Sequence, residues 1–238
     1  VALRLGLLVC GHVHPDALDL GGDYPALFGD LFGPLGVEVV PFDVDRGAFP
    51  ASAAECDAWI TSPARASVND DEPWIRDLEE LIRELIATER PFAGICFGHQ
   101  LLARALGGRV ERAAVGWGVG VQRYEVVAHR WWMDPPPPTP DVVQLVASHE
   151  DQVVALPDGA TLLARADYCP VAAYELGERA VAVQAHPEFT AAISSRLLDL
   201  REELIGPTTV AAARATLHRV PDRELVARWI VRFLRGRP

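Results

Sequence analysis

No apolar run in the 238-residue chain approaches the ~20 residues that a helix needs to cross a bilayer, and its first residues lack the basic, apolar and small-residue succession of a signal peptide. The expectation is a cytoplasmic protein with no membrane partner. Positive charge is also in deficit. Lys and Arg number 22 against 33 Asp and Glu, a net charge of −11, which argues against nucleic acid or an anionic lipid surface as partner. Cysteine is sparse and scattered: Cys10, Cys56, Cys96 and Cys169 form no C-x-x-C pair, so neither a disulfide framework nor a zinc knuckle is indicated. There is no internal repeat, no low-complexity tail, no P-loop and no second α/β segment to house a synthetase.

What is present is an ordinary globular composition, half apolar and 23% charged. Residues 3–9 (LRLGLLV) are a continuous apolar run suited to a central parallel strand covered on both faces. A helix over 24–35, a strand over 37–40, a third strand over 57–60 and a helix over 74–88 follow, the last with Ile75, Leu78, Leu81, Ile82, Leu85 and Ile86 at helical spacing. Strands alternating with helices predict a doubly wound, mostly parallel sheet of the flavodoxin-like kind, flanked by helices, with ligands at the C-terminal strand ends. From Val110 the texture becomes β-rich, with strands expected at 121–128, 142–147, 161–165, 171–175 and 180–184. Helices are expected at about 191–204, 208–217 and 222–234. The four prolines at 135–138 cannot continue a ladder and read as a stiff surface loop, not a linker. One domain over 1–238 is therefore expected, its core within about 1–190 and a helical segment over about 191–238.

The chain centres on Gly94-Ile95-Cys96-Phe97-Gly98, between a short apolar strand (92–95) and an amphipathic helix ending at Gly107-Gly108. Glycines two residues either side of a nucleophile relieve the crowding of a sharp strand-to-helix turn, which is the nucleophile-elbow pattern with cysteine in place of serine. Such a turn lifts the thiol above the sheet edge at a helix N-terminus, where the thiolate is favoured. A thiolate nucleophile needs a base, and the base needs an orienter. His186 and Glu188 follow a strand expected in the same sheet; Pro187 stiffens the turn, and side chains two apart in extended chain point the same way.

With these two motifs, Gly94-Ile95-Cys96-Phe97-Gly98-His99-Gln100 and Ala185-His186-Pro187-Glu188-Phe189, the sequence resembles the class I glutamine amidotransferase family. Three further stretches make it similar to the stand-alone GMP-synthase-like amidotransferases and γ-glutamyl peptidases: Ser67 through Trp74 (SVNDDEPW), Gly116 through Gly120 (GWGVG) and Ser148 through Val153 (SHEDQV). The resemblance implies a Cys96–His186–Glu188 triad that cleaves a γ-glutamyl amide through a thioester on Cys96, with no metal or other cofactor. It implies an oxyanion hole from the backbone N–H groups of Phe97 and Ser62, although relatives often carry glycine near Ser62. It implies substrate contacts at Gln100, Ser148, His149, Glu150 and Asp151; glycine is common in the family where Glu150 stands.

Blander roles stand beside several of these. Gln100 also fits as a brace for its helix, His149 as a local hydrogen-bonding residue, His99 as packing, and Trp117 as core or substrate wall. Trp131-Trp132 fits a lid over the sheet or a partner surface. Cys10-x-His12-x-His14-x-Asp16 alternates ligand-type side chains at the active edge, which suits substrate selection by His12 or His14 better than zinc. The small-molecule substrate is either glutamine, with ammonia passed to a synthase partner, or a γ-glutamyl peptide or amide cleaved for its own sake, the second being favoured for a chain without its own synthetase. The alternatives are a glutaminase-like binding or regulatory subunit that works only with a separate synthase, and a thiol hydrolase or redox protein on a similar sheet.

Overall fold

In the computed structural model, which describes residues 2–237, strands β1 (Leu3–Leu8), β2 (Val37–Phe42), β3 (Ala58–Thr61) and β4 (Phe92–Ile95) form a parallel block. Strand β11 (Ala180–Val183) pairs parallel to β4 and antiparallel to β10 (Cys169–Leu176), so it joins this block to an antiparallel one. The second block continues through β9 (Thr161–Ala166), β6 (Gly118–Val126) and β7 (Val142–His149), giving a nine-stranded sheet in the order β2-β1-β3-β4-β11-β10-β9-β6-β7. Strands β5 (Arg109–Arg112) and β8 (Asp151–Ala155) pair with each other in a separate two-stranded sheet that the apolar pattern does not announce.

Both faces of the parallel block are covered, as its near-continuous apolar strands require. Leu5, Leu7, Ala58, Ile60, Ala93 and Ile95 face helix α1 (Tyr24–Phe32) and helix α7 (Arg223–Arg235), whose Phe28, Phe32, Trp229 and Phe233 share one buried cluster with them. On the other face Leu8, Trp59 and Phe92 meet α2 (Pro73–Ala87) and α3 (Phe97–Ala105) through Ile75, Leu78, Ile82, Leu101 and Leu102. Each fully buried aliphatic or aromatic side chain contributes roughly 1.5–3 kcal/mol. Gly6 makes room for Trp59, since a Cβ there would lie 2.3 Å from the indole.

Local chemistry fixes the helix starts that matter for the site. Asp23 caps α1 by accepting the Tyr24 N–H at 2.8 Å, and Pro73 opens α2, where a missing N–H costs nothing. The run expected as one helix over 191–204 is divided into α4 (Ala191–Leu200) and α5 (Glu202–Ile205), with Arg201 non-helical at φ −120° and ψ 13° between them. Helix α6 (Pro207–Arg214) follows Gly206 at φ 92°, a conformation that glycine adopts without strain. Among the described residues no helix is long and apolar enough to cross a membrane.

Candidate active site

Cys96 sits at φ 48° and ψ −96°, a conformation rare for a residue with a side chain, held by the β4–α3 turn. Its backbone N–H donates to Val183 O at 2.9 Å, anchoring the turn to β11. The flanking glycines are sterically required. A Cβ on Gly94 would fall 2.6 Å from Gly98 O, and one on Gly98 would fall 1.7 Å from Thr61 Oγ1, which itself accepts the Ile95 N–H at 3.2 Å. Phe97 begins α3, so its N–H has no carbonyl four residues back within the helix. Its ring stacks on Trp74 at 5.4 Å, tying the start of α2 to the elbow.

The loop after β11 brings His186 to the same place. Its N–H donates to Val146 O at 2.8 Å, bridging to β7. Its Nδ1 lies 2.7 Å from Glu188 Oε1, with both side chains buried. That contact fixes the tautomer with the proton on Nδ1 and leaves Nε2 with no hydrogen-bond partner among the described residues. Phe189 lies parallel to the imidazole at 4.4 Å, and Tyr24 stacks on Phe189 at 6.2 Å, so the ring is clamped from one side. Arg223, at the start of α7, donates to Pro187 O at 2.9 Å and Glu188 O at 3.1 Å and holds the turn's backbone.

Burial opposes a charged imidazole and is the largest influence on His186. The Cys96 sulfur and then the Glu188 carboxylate outweigh it, and the ring is pushed up to about 10. Sulfur and ring are therefore electrostatically coupled, and in structures without substrate such pairs are often held at longer range than a hydrogen bond. Behind the sulfur, Gln184 donates from Nε2 to Cys96 Sγ at 3.6 Å and accepts from Gln100 at 3.1 Å.

Cys96 opens into a cleft of about 460 Å³. Ser148, His149, Glu150 and Asp151, at the β7–β8 junction, line one side of it together with Trp117. Gln100 also borders the cleft, but its side-chain N–H groups donate to Asp151 O at 2.7 Å and to Gln184, so it braces the cleft floor. His149 Nδ1 faces Asp151 O at 3.1 Å, and burial draws its pKa down to about 4 despite that bond. Glu150 pairs with Arg112 at 3.3 Å, and Asp151 Oδ2 accepts from Ser67 Oγ at 2.5 Å. His99 is packed against Tyr174 at 4.9 Å, and burial, with His149 beside it, draws its pKa down to about 3.

Ser62 is a correction. Its N–H donates to Leu8 O at 2.9 Å, continuing the β1–β3 ladder one residue beyond the apolar pattern, and its hydroxyl accepts the Cys10 N–H at 2.8 Å. Fully buried and hydrogen-bonded, it has no donor to offer the cleft; residues 64–67 form that wall instead. The Cys10–Asp16 alternation does not converge either. His12 turns to Asp23 at 2.6 Å and Asp45 at 3.4 Å, while His14 Nδ1 accepts the Asp16 N–H. Trp132 packs edge-to-face on Phe233 at 5.6 Å, and Trp229 Nε1 donates to Pro135 O, so this segment covers α7.

Gln184, Phe189 and Arg223 are site residues that spacing alone does not single out; a polar residue ending an apolar strand was the available signal for Gln184. Arg201 gave none. It lay inside an apparently uninterrupted helical run, yet it lines the cleft and donates to Ser148 Oγ at 3.1 Å.

A mixed α/β sheet flanked by helices, with a strand–turn–helix elbow at its strand ends, is an amidotransferase-type fold, and comparison with known proteins gives the family. The family model for glutamine amidotransferase class-I matches residues 19–198, and the chain belongs to that family. It is 29% identical to gamma-glutamyl peptidase 3 of Arabidopsis thaliana over 225 residues, covering 90% of each chain. It is 31% identical to a glutamine-hydrolyzing GMP synthase subunit of Methanopyrus kandleri over 182 residues, covering 72% of this chain and 87% of that one. A glutamine amidotransferase structure from Thermotoga maritima superposes with a TM-score of 0.75 at 22% identity, covering 98% of this chain and 96% of the other, which shows the shared fold.

Proposed function

We propose that this protein hydrolyses γ-glutamyl amides through a thioester on Cys96. What supports the reading is Cys96 lining the cleft, with the buried His186–Glu188 pair close enough for the sulfur to influence the ring. Cys96 Sγ attacks the γ-carbonyl; a C–S bond forms and the carbonyl π electrons move to oxygen. As the tetrahedral intermediate collapses the C–N bond breaks, and the departing amine takes the proton from His186 Nε2. Water, deprotonated by the same nitrogen, then attacks the thioester, releasing glutamate and restoring the sulfur. Glu188 keeps Nδ1 protonated throughout. The Phe97 N–H is one oxyanion donor, and the other comes from residues 64–66, in place of Ser62.

The substrate is a γ-glutamyl peptide or amide. Support comes from relatives named γ-glutamyl peptidase that align over about the whole chain, 29–30% identical. A second reading, a glutaminase that passes ammonia to a synthase partner, is favoured by the similarity to the GMP synthase subunit, which covers less of this chain. Amine release from γ-glutamyl dipeptides compared with ammonia release from glutamine separates the two, with Cys96→Ala as control. Intact-mass detection of a γ-glutamyl adduct on Cys96 is the expected companion result. Absence of an adduct with either substrate would remove the hydrolase reading.

A further inference from the structure

Three arginines, Arg65, Arg112 and Arg201, and three carboxylates, Glu150, Asp151 and Glu203, line the cleft, but they do not all pair with one another. Arg112 is paired with Glu150 at 3.3 Å, and Asp151 is held by Ser67. Arg201 and Arg65 both line the cleft, and neither is paired with a carboxylate among the described residues. Arg201 is half-buried, and among the described residues its five N–H donors make one hydrogen bond, Nη1 to Ser148 Oγ at 3.1 Å. Burial is the largest influence on this guanidinium and lowers its pKa from the ordinary arginine value. Arg65 adds to that as a like charge, while Tyr24 and the Cys96 sulfur oppose it. Arg201 and Arg65 are like charges in a partly dry cleft, and neither has a carboxylate within ion-pair reach among the described residues, so an anion placed between them would relieve that repulsion.

The unused planar fork of Arg201 suits a carboxylate, which it can grip through two parallel hydrogen bonds. Glutamine has about ten heavy atoms, while a cleft of about 460 Å³ is in the range that encloses a larger ligand. Ammonia leaving from glutamine would need neither this space nor these cations, and as ammonium it would be repelled by them. An amine that carries its own carboxylate fits both.

Resting on the hydrolase reading above, we infer that Arg201, assisted by Arg65, holds the carboxylate of the leaving half. The substrate class is then γ-glutamyl amino acids and short γ-glutamyl peptides with a free carboxylate on that half. Arg201 is a specificity residue that the break between α4 and α5 turns into the cleft.

The test compares γ-glutamylalanine with γ-glutamylethylamide, which differ by that one carboxylate. The wild-type ratio of kcat/KM is expected to favour γ-glutamylalanine by about 10- to 100-fold, as expected for a charge-assisted contact, and mainly through KM. In Arg201→Gln the ratio should collapse toward one, and Arg201→Lys should retain part of it. Equal losses on both substrates would overturn the inference, assigning Arg201 to the glutamyl α-carboxylate that both share or to the fold; so would a wild type without preference. Calorimetric binding of the same two compounds to Cys96→Ala, with and without Arg201→Gln, reads the discrimination without turnover. If the wild type cleaves neither compound the hydrolase reading fails, while this binding comparison still decides for or against Arg201.

Discussion

His186 is the residue whose protonation responds most directly to its neighbours. Unfolded, it gives up its proton near 6.5, whereas folded it keeps the proton up to about 10. Between these values the folded state binds more protons, so this contribution to stability is fully present below 6.5 and is lost as pH rises through about 10. His99 and His149, drawn down to about 3 and about 4, act oppositely: their contribution is present above 6.5 and is lost as pH falls toward those values. Because the Cys96 sulfur is the leading upward influence on His186, Cys96→Ala should lower the His186 midpoint and flatten the alkaline fall in stability. The acid limb should stay in place. Ring-carbon NMR titration checks this, and an unmoved His186 midpoint in Cys96→Ala would exclude the sulfur as the counter-charge. A steric prediction belongs at this scale too. Gly98→Ala drives a methyl into buried Thr61 Oγ1 and should cost at least about 1–3 kcal/mol, read as a lower urea midpoint. Thr61→Ala in the same chain should recover part of the loss.

Among the elements, α7 supports the candidate active site through the backbone of the turn that carries His186 and Glu188. Its first residue, Arg223, bonds the carbonyls of Pro187 and Glu188 and so fixes the spacing between imidazole and carboxylate. Arg223→Met should lose about 1.5–3 kcal/mol of charge-assisted hydrogen bonding. The melting temperature should fall roughly 2–4 °C per kcal/mol, and kcat by on the order of tenfold with KM little changed. A lowered melting temperature with unaltered kcat and pH profile would reduce Arg223 to a purely structural role. This contact also shows where reading from sequence ends. The Gly-x-Cys-x-Gly elbow and the His-x-Glu pair were legible because their causes are local: a Cβ that cannot fit, and two side chains two residues apart in extended chain. Strand β5 was not, since Arg109–Arg112 is short, mostly exposed and recognisable only by its pairing with β8 some forty residues on. Ser62 was misassigned because whether a backbone N–H is free depends on Leu8 of another strand. Arg201 was hidden because a helix interrupted by one residue keeps nearly the same apolar rhythm on both sides.

For the molecule as a whole, the question is whether the parallel and antiparallel blocks can come apart. Strand β11 belongs to both, and one buried cluster contains Leu5, Phe28 and Ile60 from the first together with Val121, Tyr124, Trp132 and Val143 from the second. Opening a gap between the blocks would break the β4–β11 ladder, expose that shared core and separate Cys96 on one side from His186 on the other. Partial unfolding along that line would be costly, because the exposed apolar area would approach that of unfolding a whole block. We therefore propose that the chain unfolds as a single cooperative unit, even though at 238 residues it is longer than most two-state proteins. Native-state hydrogen exchange in increasing denaturant should show amides of β1 and β6 merging into one unfolding free energy. Earlier loss is expected only at exposed segments such as residues 177–179. Persistently lower protection across β6, β7 and β9, with β1 and β3 still protected, would mean two separately folding halves. The chemistry proposed for Cys96 would then require that the halves dock before His186 can act on it.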